Sequence, residues 1–443
     1  MTMMTTSEIP RRTGYNRPRS ILTRKALFMS RLAFALSALI LTSTLQAQEP
    51  AKEFFFKPND RIVFLGDSIT EQYQYSSTIE LYLTTRMPKG NFVFLNAGIG
   101  GDTANGGAGR FQAHILDEKP TAVTINFGMN DGGYGKFNPA GNKVFVDKTR
   151  AMLEMAQKAG VRVALCSPNA VDKRIKSNGA EYVETQKQFY APLKDLAAEF
   201  KIPFADQYAV TRAATDKMEL DDPKALKAKP YGDGFHTSPP GGLLMAHAIL
   251  TQLNAPAVVS NTTIAADGNK GPQSNMGCKI SDLAIDGGTA TFTRLDDALP
   301  LPVQKDWLAM LPYTNELKDL NHYGLTVTGL KDGDYDISID GVKVLKASAK
   351  DLAAGVNLGN VTTGPIYEQG NKVWQAINAK NAMVKERFFN VVRFNAPDWL
   401  ADVAKERKPG ELVKRMEKID KAQADIYKLA EPKPHKFEVK AAK

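Results

Sequence analysis

The sequence predicts an α/β fold built on a parallel sheet, followed by a region of β-hairpins and helices. Three observations carry this reading. Between Arg61 and about Leu253, short apolar runs alternate with segments of helical period. The runs are continuous instead of alternating, as strands covered on both faces require. Beyond about Asn254 the period becomes two, interrupted by Asp-Gly pairs, which marks hairpins.

The apolar runs at 61–66, 92–96, 122–127, 162–166 and 203–206 read as five strands. Helices are expected near 76–87, 109–116, 145–158, 180–200 and 240–253. Strand, helix, strand at this spacing gives parallel strands joined by right-handed crossovers, with ligands beyond the strands' carboxyl ends. Residues 260–277, rich in Asn, Gly, Thr and Ser, read as a linker or a long surface excursion. Then Leu325 and Val327, Tyr335, Ile337 and Ile339, and Val342 and Val344 alternate, with Asp332-Gly333 and Asp340-Gly341 between the runs. Leu412, Met416, Ile419, Ile426 and Leu429 form one apolar helical stripe after Pro409-Gly410, read as core packing. The expected division is a leader over 1–47, an α/β domain over 51–257, a linker over 258–277 and an accessory region over 278–435.

At 443 residues the chain exceeds the roughly 250 to 300 that one core usually serves. A composition 43% hydrophobic and 24% charged excludes wholesale disorder. The net charge of +9 suggests nucleic acid until it is located. Residues 1–47 hold seven basic side chains and only Glu8 as an acid, so six of the nine charges lie there. The remainder is close to neutral, and no nucleic-acid partner is expected. Within that segment the apolar run 32–41 follows Arg24, Lys25 and Arg31 and precedes Ala47, the three zones of a signal peptide cleaved after Ala47. Met29 is an alternative start. The run is shorter than the roughly 20 residues a membrane span needs, so no span is expected in the mature chain, which should be secreted or periplasmic. No cysteine stands near the cleavage point to carry a lipid. Cys166 and Cys278, the only two, exclude a disulfide framework and a CxxC metal site; Cys166 reads as a buried thiol, and a bridge between the two stays open.

Four short segments carry chemistry. The first strand runs into Asp67-Ser68-Ile69-Thr70, which puts Ser68 at a strand's carboxyl end, although a serine there also serves as a helix cap. The second leads to the glycine-rich stretch 96–103, where Gly98, Gly100 and Gly101 let the backbone turn N–H groups toward a ligand. Thr103 stands where a dinucleotide fingerprint would need its third glycine. The third ends in Gly128-Met129-Asn130-Asp131, where the Asn130 amide is a second candidate donor or an ordinary turn residue. The fourth is Asp233-Gly234-Phe235-His236, whose spacing lets the carboxylate reach Nδ1 and leaves Nε2 for a serine hydroxyl. His114, His247, His322 and His435 read as structural. No GxSxG elbow and no HExxH zinc site occurs.

Together these segments resemble the four blocks of the SGNH/GDSL hydrolases, in order, over 61 to about 253. The resemblance implies a flavodoxin-like three-layer α/β/α fold with a five-stranded sheet, ester hydrolysis through an acyl-enzyme, and no cofactor. It implies Ser68 as nucleophile, His236 as base and Asp233 as its orienting acid. The Ser68 and Gly101 backbone N–H groups and the Asn130 amide would form the oxyanion hole. Thr237-Ser238 stand where the family commonly has proline after the histidine, which puts the local loop path in question. Arg110 also fits the family pattern and reads as a structural ion pair. The expected substrate is a small-molecule or polysaccharide ester, with O-acetyl on carbohydrate foremost. A lipase or lysophospholipase is the alternative within the family, and a non-catalytic carbohydrate-binding or scaffolding protein the alternative outside it. The segment 211–229 is charged and alternating in sign, unlike an apolar lid.

Overall fold

The computed structural model describes residues 53–175, 181–267 and 274–442; the expected leader and its cleavage point lie outside them. β1 (Arg61–Gly66), β2 (Val93–Gly98), β3 (Ala122–Asn126), β4 (Arg162–Cys166) and β5 (Phe204–Ala205) form a parallel sheet in the order β2-β1-β3-β4-β5. All of β3 is buried, and β1, β2 and β4 are only partly exposed at their first residue. That is why the strands read as continuous apolar runs. Gly66 pairs with Gly98 on one side and Asn126 on the other, so three strands end level and release their loops at one edge.

The sheet is covered by α1 (Ser68–Glu71), α2 (Gln74–Arg86), α3 (Ala104–His114), α4 (Pro139–Lys158), α5 (Tyr182–Tyr190), α6 (Pro192–Phe200), α7 (Gln207–Asp221) and α8 (Pro239–Gln252). The single helix expected over 180–200, whose first residue is not described, is two. Pro192 opens the second at a position where its missing N–H is harmless. α7 was not expected: Asp206 caps it by accepting from Ala209 N–H at 3.2 Å, and its alternating charges pair one turn apart as Arg212–Asp216 and Lys217–Asp221.

The second region begins with β6 (Val258–Ala265), β7 (Ser274–Met276), β8 (Cys278–Asp286) and β9 (Thr289–Asp296). It continues with β10 (His322–Thr328), β11 (Asp334–Ile339), β12 (Val342–Ser348), α9 (Ala349–Ala354) and β13 (Val356–Asn357). α10 (Pro365–Arg387), α11 (Ala401–Ala430) and β14 (His435–Ala441) complete it. One sheet runs β13-β10-β6-β7, the other β12-β11-β14-β9-β8, and their inner faces share a core of Ile264, Phe292, Leu325, Ile337 and Phe437.

Three expectations need correction here. Within the stretch expected as a linker, β6 pairs in parallel with β10 and antiparallel with β7, so these parts are sheet and not linker; residues 268–273 lie outside the described residues. Ser260 Oγ accepts from Arg294 at 2.7 Å and donates to Asp296. The accessory region does not stop at 435, because β14 lies between β11 and β9. Pro409 lies inside α11 and not before it, on an exposed stretch, and Leu429 at the end of the expected stripe is 39% exposed. Cys166 and Cys278 are both free; burial pushes the Cys166 thiol up to about 12.

From Glu53 onward the chain is one compact unit, and a single core runs from the parallel sheet into Trp307, Met310, Val373, Ile377 and Ile419. α2 shows how tight the union is. Residues 75–85 are all buried, since α8 packs on one side and α10 on another. Within that contact Lys380 Nζ of α10 lies 2.6 Å from Glu80 Oε1, while Asn381 donates to Glu80 Oε2 and to Ser77 Oγ. The border expected near 257 is therefore crossed by one core, while a second core, between the two C-terminal sheets, lies wholly beyond it.

Candidate active site

Ser68 is the first residue of α1, directly beyond β1. Asp67 caps that helix by accepting from Ile69 N–H at 2.9 Å. The turn is tight: a Cβ on Gly66 would lie 2.2 Å from Thr70 Oγ1, and one on Gly98 only 2.3 Å from Glu71 N. Both strand ends thus need glycine for α1 to approach them.

Ser68 Oγ lies 2.7 Å from His236 Nε2, and His236 Nδ1 lies 2.6 Å from Asp233 Oδ2. A proton held on Nδ1 by the carboxylate leaves Nε2 as acceptor for the serine hydroxyl. The loop that presents the pair is pinned at both ends. Asp233 Oδ1 accepts from the N–H groups of Phe235 and His236, Gly232 N–H donates to His236 O, and Asn169 donates to Phe235 O. Partial burial works against the Asp233 carboxylate, yet its bonds from the His236 ring and from these two N–H groups prevail and hold its pKa below the ordinary range. Thr237 and Ser238 are both tied into the loop. Thr237 bridges to Tyr231 and donates to Gln72 Oε1 at 2.9 Å, and Ser238 caps α8.

The glycine-rich loop lies against Ser68: a Cβ on Gly100 would stand 4.0 Å from Ser68 Cβ. Gly101 has φ +74, a left-handed conformation that glycine adopts without strain. Asn130 donates through Nδ2 to the Asp102 carbonyl at 2.8 Å, and its Oδ1 accepts from Tyr134 O–H at 2.8 Å. These bonds fix which way the amide faces and leave one Nδ2 hydrogen uncommitted. Arg110 pairs with Asp102 at 2.8 Å and donates to Gly66 O, the structural ion pair that the sequence suggested. Beneath the loop, burial pushes Asp67 up to about 7, against the bond from Ile69 and with repulsion from Asp131 and Asp102. Burial likewise takes Asp131 up to about 6.

Sequence reasoning missed four residues that contact this assembly. Glu71 Oε2 accepts from Gly100 N–H, Gln72 receives Thr237, Tyr134 holds Asn130, and Lys385 of α10 lies 3.4 Å from Glu71 Oε1. Glu71 and Gln72 stand within a turn of Ser68, so their nearness was readable once Ser68 begins a helix. For Lys385 the sequence offers no signal. A pocket of about 180 Å³ opens beside the serine, lined by Ser68, Glu71, Gln72, His236 and Lys385.

Residues 64–242 match the GDSL-like lipase/acylhydrolase family. The uncharacterized lipoprotein YqeF of Bacillus subtilis is 31% identical over 182 residues, which span 36% of this chain and 73% of that one. The chain belongs to this family and is an ester hydrolase of the SGNH type. Among solved structures, a gut microbial diltiazem-metabolizing enzyme has the same fold over 88% of this chain and 99% of its own, at 24% identity and a TM-score of 0.77. That likeness includes most of the second region. A catalytic mutant of an acetylxylan esterase from Geobacillus stearothermophilus matches 45% of this chain and 97% of its own, at 19% identity and a TM-score of 0.39.

Proposed function

We propose that this protein hydrolyses short acyl esters, O-acetyl groups on carbohydrate foremost, with Ser68 as nucleophile, His236 as general base and Asp233 as its orienting carboxylate. The observation that carries the reading is the unbroken chain from Ser68 Oγ through the imidazole to the Asp233 carboxylate, at 2.7 and 2.6 Å. A serine hydroxyl is a weak nucleophile until a base takes its proton, and His236 Nε2 is within reach to do so. Ser68 Oγ attacks the ester carbonyl and its proton passes to Nε2. The carbonyl oxygen takes the negative charge, facing the Ser68 and Gly101 N–H groups and the free Asn130 amide hydrogen. Collapse expels the alcohol, which takes the proton from His236, and water then attacks the acyl-enzyme by the same relay.

The substrate class rests on the pocket. Glu71, Gln72 and Lys385 give it a polar wall that a fatty chain would not favour. Among the described residues no helix is long and apolar enough to cross a membrane. The leader-like segment 1–47 and the lipoprotein relative support a place outside the cytoplasm.

Acetate release from acetylated xylan and chitin fragments, set beside release from long-chain esters, tests the substrate class; faster turnover of the long chains would favour the lipase reading. Ser68→Ala should lower kcat on p-nitrophenyl acetate by at least about 10⁴-fold. Wild-type turnover in that variant would remove Ser68 as nucleophile.

A further inference from the structure

We propose that Glu71 is a positioning residue for the oxyanion loop, and that Lys385 from the second region steadies Glu71 in that role. The proposal rests on Gly101 being an oxyanion donor. Glu71 closes α1, one helical turn after Ser68. Its Oε2 accepts from Gly100 N–H at 2.6 Å, a short, charge-assisted bond, and its Oε1 faces Lys385 Nζ at 3.4 Å.

Gly100 sits between the two groups that matter. A Cβ there would lie 3.2 Å from Glu71 Oε2 and 4.0 Å from Ser68 Cβ. Gly101, by contrast, has nothing within 4 Å of where a Cβ would stand, and its φ of +74 is one glycine leaves with many neighbours of similar energy. The donor residue is thus held by its neighbours: Ile99 N–H bonds Gly66 O, Asp102 N–H bonds Ile99 O, and Gly100 N–H bonds Glu71. Only the last of these comes from a side chain on the nucleophile's own helix.

Lys385 reaches Glu71 because α10 is fixed on α2 by Lys380 and Asn381, one turn earlier on the same helix. Its side chain is 47% exposed and its contact with Glu71 is long, so the ion pair alone contributes little. Its effect is to keep the Glu71 carboxylate from turning toward water. The order of importance follows: Glu71 first, Lys385 second.

The test is steady-state hydrolysis of p-nitrophenyl acetate by the full chain, with fluorophosphonate labelling of Ser68 read by mass spectrometry. A misplacement of about 1 Å in a reacting group can lower the rate roughly 100-fold, so Glu71→Ala should lower kcat about 10- to 100-fold with KM within about twofold. Glu71→Gln, whose amide oxygen still accepts from Gly100, should recover most of that loss, and Lys385→Met should lower kcat about two- to fivefold. Wild-type kcat in Glu71→Ala, a Gln variant as slow as the Ala variant, or a loss confined to KM would overturn the proposal. Should Glu71→Ala melt below the assay temperature, Lys385→Met decides, and an unchanged kcat there overturns it. A wild-type chain that takes no label at Ser68 would sink the esterase reading itself. Label at Ser68 together with an unaffected Glu71→Ala would sink only the positioning role.

Discussion

At the scale of single residues, the site combines groups that the chain announces and groups that it hides. Ser68, Asp233 and His236, whose side chains meet, and the proposed donors Gly101 and Asn130 were legible because each lies in a short motif beyond a strand or before a helix, where glycine and polar residues interrupt apolar runs. Tyr134 and Lys385 were not, since nothing local to them shows which side chain they meet. Asp67 belongs to the first group, yet its buried state has a measurable consequence. Its folded pKa of about 7 lies above the ordinary carboxylate value of 3.8, so the folded chain holds this proton more tightly than the unfolded chain does. That contribution is fully present below about pH 4 and is lost as pH rises through about 7. At 1.4 kcal/mol per unit, the loss is of order 4 kcal/mol. Asp67→Asn still offers an acceptor to Ile69 N–H but cannot ionise. In urea unfolding between pH 4.5 and 8 the variant should lose less stability than wild type, and an unchanged slope would mean the proton resides elsewhere.

Among elements, the strands of the parallel sheet fell close to their expected places, because burial on both faces writes a strand as an uninterrupted apolar run. Helices fared worse where polar caps and charge patterns dominate. α7 is a charged surface helix begun by Asp206, and β6 is a strand whose Ser260 and Thr262 are buried and hydrogen-bonded, so its composition resembled a loop. The contact of α2 with α10 carries a sharper prediction. Lys380→Met would leave the Glu80 carboxylate buried without its cation, at a cost of about 3–5 kcal/mol in chemical denaturation. Adding Glu80→Gln, which removes the stranded charge, should return at least about half of that. If the single variant unfolds like wild type, the pair does not hold the helices together.

For the whole molecule, the change of period near Asn254 was readable, but the sharing of one core was not, since sequence period reports which face of an element is apolar and not what covers it. α2 would be stripped on one side if the second region were removed, exposing Glu80 and the Phe94 ring over which Lys380 lies. A chain ending at Asn254 should therefore be insoluble or molten, judged by lost near-ultraviolet circular dichroism and aggregation on size exclusion. A soluble, cooperative and active fragment would show that the hydrolase half is independent.

The place of β14 bears on how such a chain is made. It follows every other strand of its sheet in sequence but pairs between β9 and β11, so both present open edges until residues 435–441 have been synthesised. Assembly of that sheet must wait for the last segment, and pairings so distant in sequence form slowly. A polypeptide that cannot close early stays threadable for longer, which would suit the export proposed for this chain.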